Sequence, residues 1–127
     1  MTLLLDTTVL IDALRRKNES LTLLAEAVAL GHQFSTSAIS IAEVFSGSRV
    51  AEEIATQSFL ESLVCFPVTY SIAERGGRLR NDWARKGRTL GLADMVVAAT
   101  ALEHNLALVT ANRKDFPMPE LKFYPAT

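Results

Sequence analysis

The chain has 127 residues, 49% apolar and 21% charged. That balance excludes a disordered chain, and the length sets the expectation of a single domain over residues 1–127. Thirteen basic and fourteen acidic side chains leave a net charge of −1, which excludes a globally cationic nucleic-acid binder, so any such contact has to be local. No apolar run reaches membrane-spanning length. The N-terminal apolar run is broken by Asp6 and followed by Arg15, Arg16 and Lys17, the wrong order for a secretory signal. The lone cysteine, Cys65, has no internal partner for a disulfide and is expected as a small buried hydrophobe. A cytoplasmic protein with no membrane contact is expected.

In chain order, "TLLL" predicts a short buried strand, and "TTVLIDALRR" a helix capped by Asp6 or Thr7. "ESLTLLAEAVALG" has helical apolar spacing and stops at Gly31. "HQFSTS" predicts a brief strand. "AISIAEVFSG" predicts a helix from near Ser40 to near Gly47, "VAEEIATQSFLESL" a further helix, and "VCFPV" a strand. "SIAERGGRLRNDWARKG" is a long amphipathic helix weakened in the middle by Gly76 and Gly77, with Trp83 turned inward. "LADMVVAATALEHN" is apolar almost all round and should be buried. "LALVT" and "KFY" are the last strands. Strands alternating with helices predict an α/β domain, with a central, mostly parallel sheet of four to five strands flanked by helices. In such sheets the site lies beyond the carboxyl ends of the strands, where Asp6 and "TANRKDF" both fall.

Four groups of oxygen-bearing side chains carry the possible chemistry, and each has a structural alternative. Asp6 is a helix cap or a carboxylate at the sheet's switch point. Glu43 stands three residues after Ser40, the spacing of a capping box, although a first-turn Glu can also face the strand ends. Asp94 lies within "LADMVVAA", where a charge without a partner costs several kcal/mol, against a helix-dipole benefit of about 0.3–1 kcal/mol. Thr110, Asn112 and Asp115 form an ordinary polar turn or a ligand-bearing loop. One arrangement accounts for all of them: Asp6, Glu43, Asp94 and the Asn112/Asp115 pair converge at one end of the sheet around a divalent cation. Oxygen donors without a convergent His or Cys favour Mg²⁺ or Mn²⁺ over Zn²⁺. His32 and His104 have no metal-ligand spacing and are expected at the surface or at helix ends.

The blocks "LLLDTTVLID", "SAISIAEVFSG" and "GLADMVVAATALEHNLALVTANRKDF" resemble, in order and over nearly the whole chain, the PIN domain, and more closely the VapC-type toxins of type II toxin–antitoxin pairs. The resemblance implies a PIN-like fold and a metal-dependent endoribonuclease that inhibits translation and growth until its antitoxin neutralises it. It matches the family's acids to Asp6, Glu43 and Asp94. A supporting hydroxyl falls at Thr8, the fourth position at Asn112 and a further acid at Asp115. Asn112 departs from the fully acidic version and carries no charge to hold a second metal. Asp6, Asp94 and Glu43 are thus expected to hold Mg²⁺, with Thr8 and Thr110 in support, and cleavage is expected to leave a 5′-phosphate. The resemblance also implies a homodimer and a VapB-like antitoxin, for which "TTVLIDAL" and "SAISIAEVF" offer candidate surface. RNA needs cations near the site. Arg113 and Lys114 are the best placed, and Arg85 lies on the locally basic stretch from Glu74 to Arg88. A haloacid-dehalogenase-type phosphatase needs a second Asp where Thr8 stands, and a phosphoacceptor domain needs an Asp that "VCFPVTY" lacks.

Overall fold

Five strands, all parallel, form one sheet in the order β3-β2-β1-β4-β5: β1 Thr2–Leu5, β2 Gln33–Ser37, β3 Val64–Phe66, β4 Ala107–Val109 and β5 Lys122–Phe123. The structure, a computed structural model, describes residues 1–126. Six helices connect and cover the strands: α1 Thr7–Leu14, α2 Ser20–Ala29, α3 Ala38–Ser46, α4 Glu53–Glu61, α5 Tyr70–Arg85 and α6 Leu92–His104.

The central strand explains the two faces. Leu3, Leu4 and Leu5 are all inaccessible, as a parallel strand covered on both sides requires. Leu3 and Leu5 join Ala107 and Val109 under Val9, Leu10 and Ala13 of α1, Leu24 and Ala27 of α2, and Leu60 of α4. Leu4 and Leu108 point the other way, onto Met95, Ala98 and Ala101 of α6. On its outer side α6 presents Val96 and Ala99 to Ile72 of α5. Enclosure between the sheet and α5 is why α6 is apolar all round. In the neighbouring strand β2, Ser35 and Thr36 are fully buried and satisfied. Ser35 Oγ donates to the Leu3 carbonyl at 2.8 Å and Thr36 Oγ1 to the Leu5 carbonyl at 3.2 Å.

Most predicted elements form, and four details differ. α3 starts at Ala38, capped by Ser37, whose Oγ accepts the Ile39 amide at 3.3 Å. Ser40 is therefore inside the helix, and no Ser40–Glu43 capping box exists. Val50–Glu52 form a 3₁₀ turn ahead of α4 instead of its first turn. Cys65 is exposed, because β3 is an edge strand and its outer side is open. The Gly76 position is a packing requirement rather than a weak point. A Cβ there would meet the Val96 Cα at 3.0 Å, so the missing side chain lets α5 and α6 approach, whereas Gly77 faces open space.

Candidate active site

The strand order reverses at β1, which lies between β2 and β4, so the loops leaving β1 and β4 flank the crevice typical of ligand sites in open α/β sheets. Asp6 is the first residue out of β1. Its amide donates to the Val109 carbonyl at 3.1 Å, and Oδ1 accepts the Val9 amide at 3.0 Å as the cap of α1. Capping and site location thus coexist in one side chain. Oδ1 also accepts from Thr8 Oγ1 at 2.6 Å, and Oδ2 accepts from Thr110 Oγ1 at 2.5 Å. Asp6 is only 2% exposed. Burial pushes its pKa up from the ordinary value, against the lowering effect of the Thr110 and Thr8 hydroxyls and of the Val9 and Thr8 amides.

Further bonds fix these hydroxyls. The Ala111 amide donates to Thr8 Oγ1 at 3.2 Å, and the Asn112 amide donates to Thr110 Oγ1 at 3.0 Å. Asn112, expected as the uncharged fourth position of the site, is thereby tied in through its backbone amide. Asp115 closes a 3₁₀ turn, Arg113–Asp115. Glu43 is half-buried on α3, and its Oε1 accepts from Thr7 Oγ1 at 2.6 Å.

Asp94 stands in the first turn of α6, half-buried. Burial, and then the negative charges of Asp115, Asp6 and Glu43, push its pKa up to about 6. That mutual repulsion makes the four acids, drawn from α1's cap, α3, α6 and the loop after β4, one electrostatic cluster. Gly91 leaves Asp94 room: a Cβ at position 91 would stand 3.3 Å from Asp94 Oδ2. The acids do not form a closed cage, for among the described residues no three His, Cys, Asp or Glu side chains are arranged to hold a metal on their own.

The cations are largely engaged elsewhere. Arg113 lies over the Phe123 ring, 5.0 Å from its centroid, and donates to the Pro125 carbonyl. Lys114 is exposed, and its carbonyl accepts from Arg88. On α5, Arg78 pairs with Glu74 at 2.8 Å and Arg75 with Glu103 at 3.2 Å, while Arg80 donates to the Leu90 carbonyl at 3.1 Å. Arg85 is exposed in the last turn of α5. Trp83 packs on the core between α6 and the sheet, as expected, with Lys86 over its ring at 4.6 Å. His104 closes α6 against Phe66, and His32 packs edge-on to Tyr124. Thr7 and Gly91 escaped the sequence-based selection. The doubled threonine after Asp6 was the available signal for Thr7, while nothing in the sequence marked Gly91.

Residues 3–119 match the PIN domain family. The chain is 35% identical over 120 residues to Ribonuclease VapC19 of Mycobacterium tuberculosis, covering 94% of this chain and 96% of that protein. Among solved structures, VapBC2 from Rickettsia felis bound to a promoter DNA fragment superposes with a TM-score of 0.81 at 26% identity, covering 97% of each chain. A toxin–antitoxin complex from Klebsiella pneumoniae superposes with a TM-score of 0.76 at 32% identity, covering 92% of each. With the fold, the order of the blocks and the identity all concordant, the chain belongs to the PIN domain family, among the VapC proteins.

Proposed function

We propose that the chain is a divalent-cation-dependent endoribonuclease and the toxin of a toxin–antitoxin pair. The observation that carries this is the cluster of Asp6, Glu43, Asp94 and Asp115 at the carboxyl end of the sheet, in which Asp94 is pushed up to about 6 by burial and by the other three acids. Carboxylates that repel one another in a partly dry crevice would be relieved by a cation, which supports this reading, and the VapC19 relative named a ribonuclease supports the reaction class. The donor set fits Mg²⁺ or Mn²⁺. It is all oxygen, and Mg²⁺ usually keeps several waters and needs only one or two carboxylates, so the open arrangement of the acids is no obstacle.

Asp6 and Asp94 would hold the ion, with Glu43 beside it. Bound there, a divalent cation lowers the pKa of a water and stabilises charge on phosphate oxygens. Thr8 and Thr110 fix both oxygens of Asp6 with hydrogen bonds and favour its ionised form. Glu43 orients the attacking water or takes its proton. Asn112 and Asp115 stand in the loop after β4, and the exposed Lys114 and Arg85, with Arg113 once released from the Pro125 carbonyl, would be the cations for an RNA backbone. Attack by water in line with the leaving 3′-oxygen yields a 5′-phosphate and a 3′-hydroxyl.

Two partners belong to this proposal. One is a VapB-like antitoxin, favoured by the complexes among the structural neighbours. A cleft lined by Ile11, Leu14 and Val44 between α1 and α3, rimmed by the Arg15–Glu52 pair at 3.6 Å, offers it an apolar seat. The other is a second copy of the chain. No helix among the described residues is long and apolar enough to cross a membrane. The test is incubation of the purified protein with RNA and Mg²⁺, then with EDTA. Cleavage that EDTA abolishes is expected, and intact RNA under every condition would reject the nuclease assignment. Induction without antitoxin should arrest translation and growth, and mapping of the new 5′-phosphate ends would identify the RNA.

A further inference from the structure

We infer that Thr7 is a positioning residue for Glu43. The inference rests on the nuclease assignment for its kinetic consequence, but not for the contact itself. Thr7 is the first residue of α1, next to Asp6, and Glu43 is on α3, thirty-six positions later in the chain. Thr7 Oγ1 donates to Glu43 Oε1 at 2.6 Å in a half-buried setting. A hydroxyl has one proton to donate, and here it goes to a charged acceptor, the stronger kind of hydrogen bond. Among the described residues no other side chain donates to the Glu43 carboxylate; Ser46 Oγ donates only to its backbone carbonyl, at 2.8 Å. One oxygen of Glu43 is therefore held and the other is left for a water or an ion.

The alternative is that Thr7 merely begins a helix. Two features oppose it. Asp6 already caps α1 through the Val9 amide, so Thr7 is not needed as the cap. Thr7 Oγ1 is directed across to another element instead of back to its own backbone. A glutamate on a one-helix stem has three rotatable bonds, and a single short bond to a neighbouring helix removes much of that freedom. The carboxylate is then in place before substrate arrives, which is what orientation contributes to rate.

The test compares Thr7→Val, which keeps the shape and removes the hydroxyl, with Thr7→Ser, which keeps the hydroxyl, and Thr7→Ala, which replaces Thr7→Val if that variant does not fold. Each is made in the native and in the Glu43→Gln background. Loss of the partner of a site carboxylate predicts a fall in kcat of about tenfold or more for Thr7→Val. KM should stay within about twofold, and Thr7→Ser should recover kcat to within about threefold of the native chain. Mn²⁺ affinity, titrated on the protein alone without RNA, should weaken about threefold in Thr7→Val and change no further when Glu43→Gln is already present. Three results overturn the inference: native kcat and Mn²⁺ affinity in Thr7→Val, a Thr7→Ser variant as impaired as Thr7→Val, or a Thr7→Val effect of equal size in the Glu43→Gln background. The Mn²⁺ titration needs no cleavage. If the native chain leaves RNA intact, the coupling of Thr7 to Glu43 is still read, and only the nuclease assignment falls.

Discussion

The metal-free protein should be less stable near neutral pH than in mild acid, and Asp94→Asn should remove much of that loss. In the folded chain Asp94 is pushed up to about 6, from an ordinary value of 3.8, first by burial and then by Asp115, Asp6 and Glu43. A carboxyl whose folded pKa is raised holds its proton in the native state where the unfolded chain has already lost it. Between the two values the native state binds more protons, so stability falls as pH rises through this window and the full cost is present above it. The gap between 3.8 and about 6 corresponds to about 3 kcal/mol before screening. Solvent reaches the open side of this half-buried carboxylate and screens part of the repulsion, leaving about 1–2 kcal/mol. For a chain of 127 residues that is about 4–8 °C in Tm. Asp6, raised in the same direction, adds to the slope. The assay is thermal unfolding in a chelator from about pH 4.5 to about pH 7.5 for the native chain and Asp94→Asn. Native Tm should fall across that range, Asp94→Asn should fall less, and Mg²⁺ or Mn²⁺ at the upper end should raise the native Tm more than the variant's. A native chain whose stability does not fall with pH, or an Asp94→Asn variant no more stable than native at the upper end, would refute the repulsion argument and leave Asp94 an ordinary first-turn acid.

Asp6→Asn should lower RNA cleavage by about a hundredfold or more while far-UV circular dichroism stays native, because a buried carboxylate is replaced by a near-isosteric amide; native rates would make Asp6 a cap and nothing else. Gly76→Ala should destabilise by about 1–3 kcal/mol in urea unfolding, since the new methyl meets the Val96 backbone, whereas Gly77→Ala in the same helix should stabilise by about 0.5–1 kcal/mol. Equal effects at the two glycines would disprove the close approach of α5 and α6. Thr110→Val removes a hydroxyl donor from a buried carboxylate and should cost about 1–3 kcal/mol where Asp6 is ionised, with a smaller loss in acid where Asp6 takes up a proton.

The sheet was legible because its signals are local. A run of leucines broken by an acid and followed by a helical pattern can be read without knowing what packs on it, and the same holds for "LALVT". What depends on neighbours was not legible. Cys65 looked like a core residue because free cysteines are usually buried, but the strand order puts β3 at the edge, and strand order is not written in any one segment. Ser40 and Glu43 had the spacing of a capping box, yet Ser37 begins the helix, because the last residue of β2 also provides the cap. Gly76 read as a weak point until α6 was seen against it. The acids could be grouped in the sequence because the elements that carry them lead to one end of a parallel sheet, and that edge follows from topology alone. Of their partners, Thr8 and Thr110 were named in support and do donate to Asp6, whereas the Thr7–Glu43 bond was not foreseen, because which hydroxyl bonds which carboxylate depends on rotamers.

The two threonines after Asp6 show how those partners divide the site. Adjacent residues on a helix do not face the same way, so Thr7 and Thr8 cannot serve one carboxylate. Thr8 turns to Asp6 and Thr7 to Glu43, and Thr110 reaches Asp6 from the loop after β4. Donors of this kind favour the ionised form of an acid and offset part of the cost of its burial. For Asp6 four such donors oppose burial, whereas every effect on Asp94 acts in the raising direction. Of these two acids, Asp94 is therefore the one whose ionised form the protein supports less and a bound cation would relieve more. For the divalent cation proposed here, Asp94, more than the better-hydrogen-bonded Asp6, should set how strongly affinity depends on pH. Removing Thr110 should shift that dependence less than removing Asp94 does.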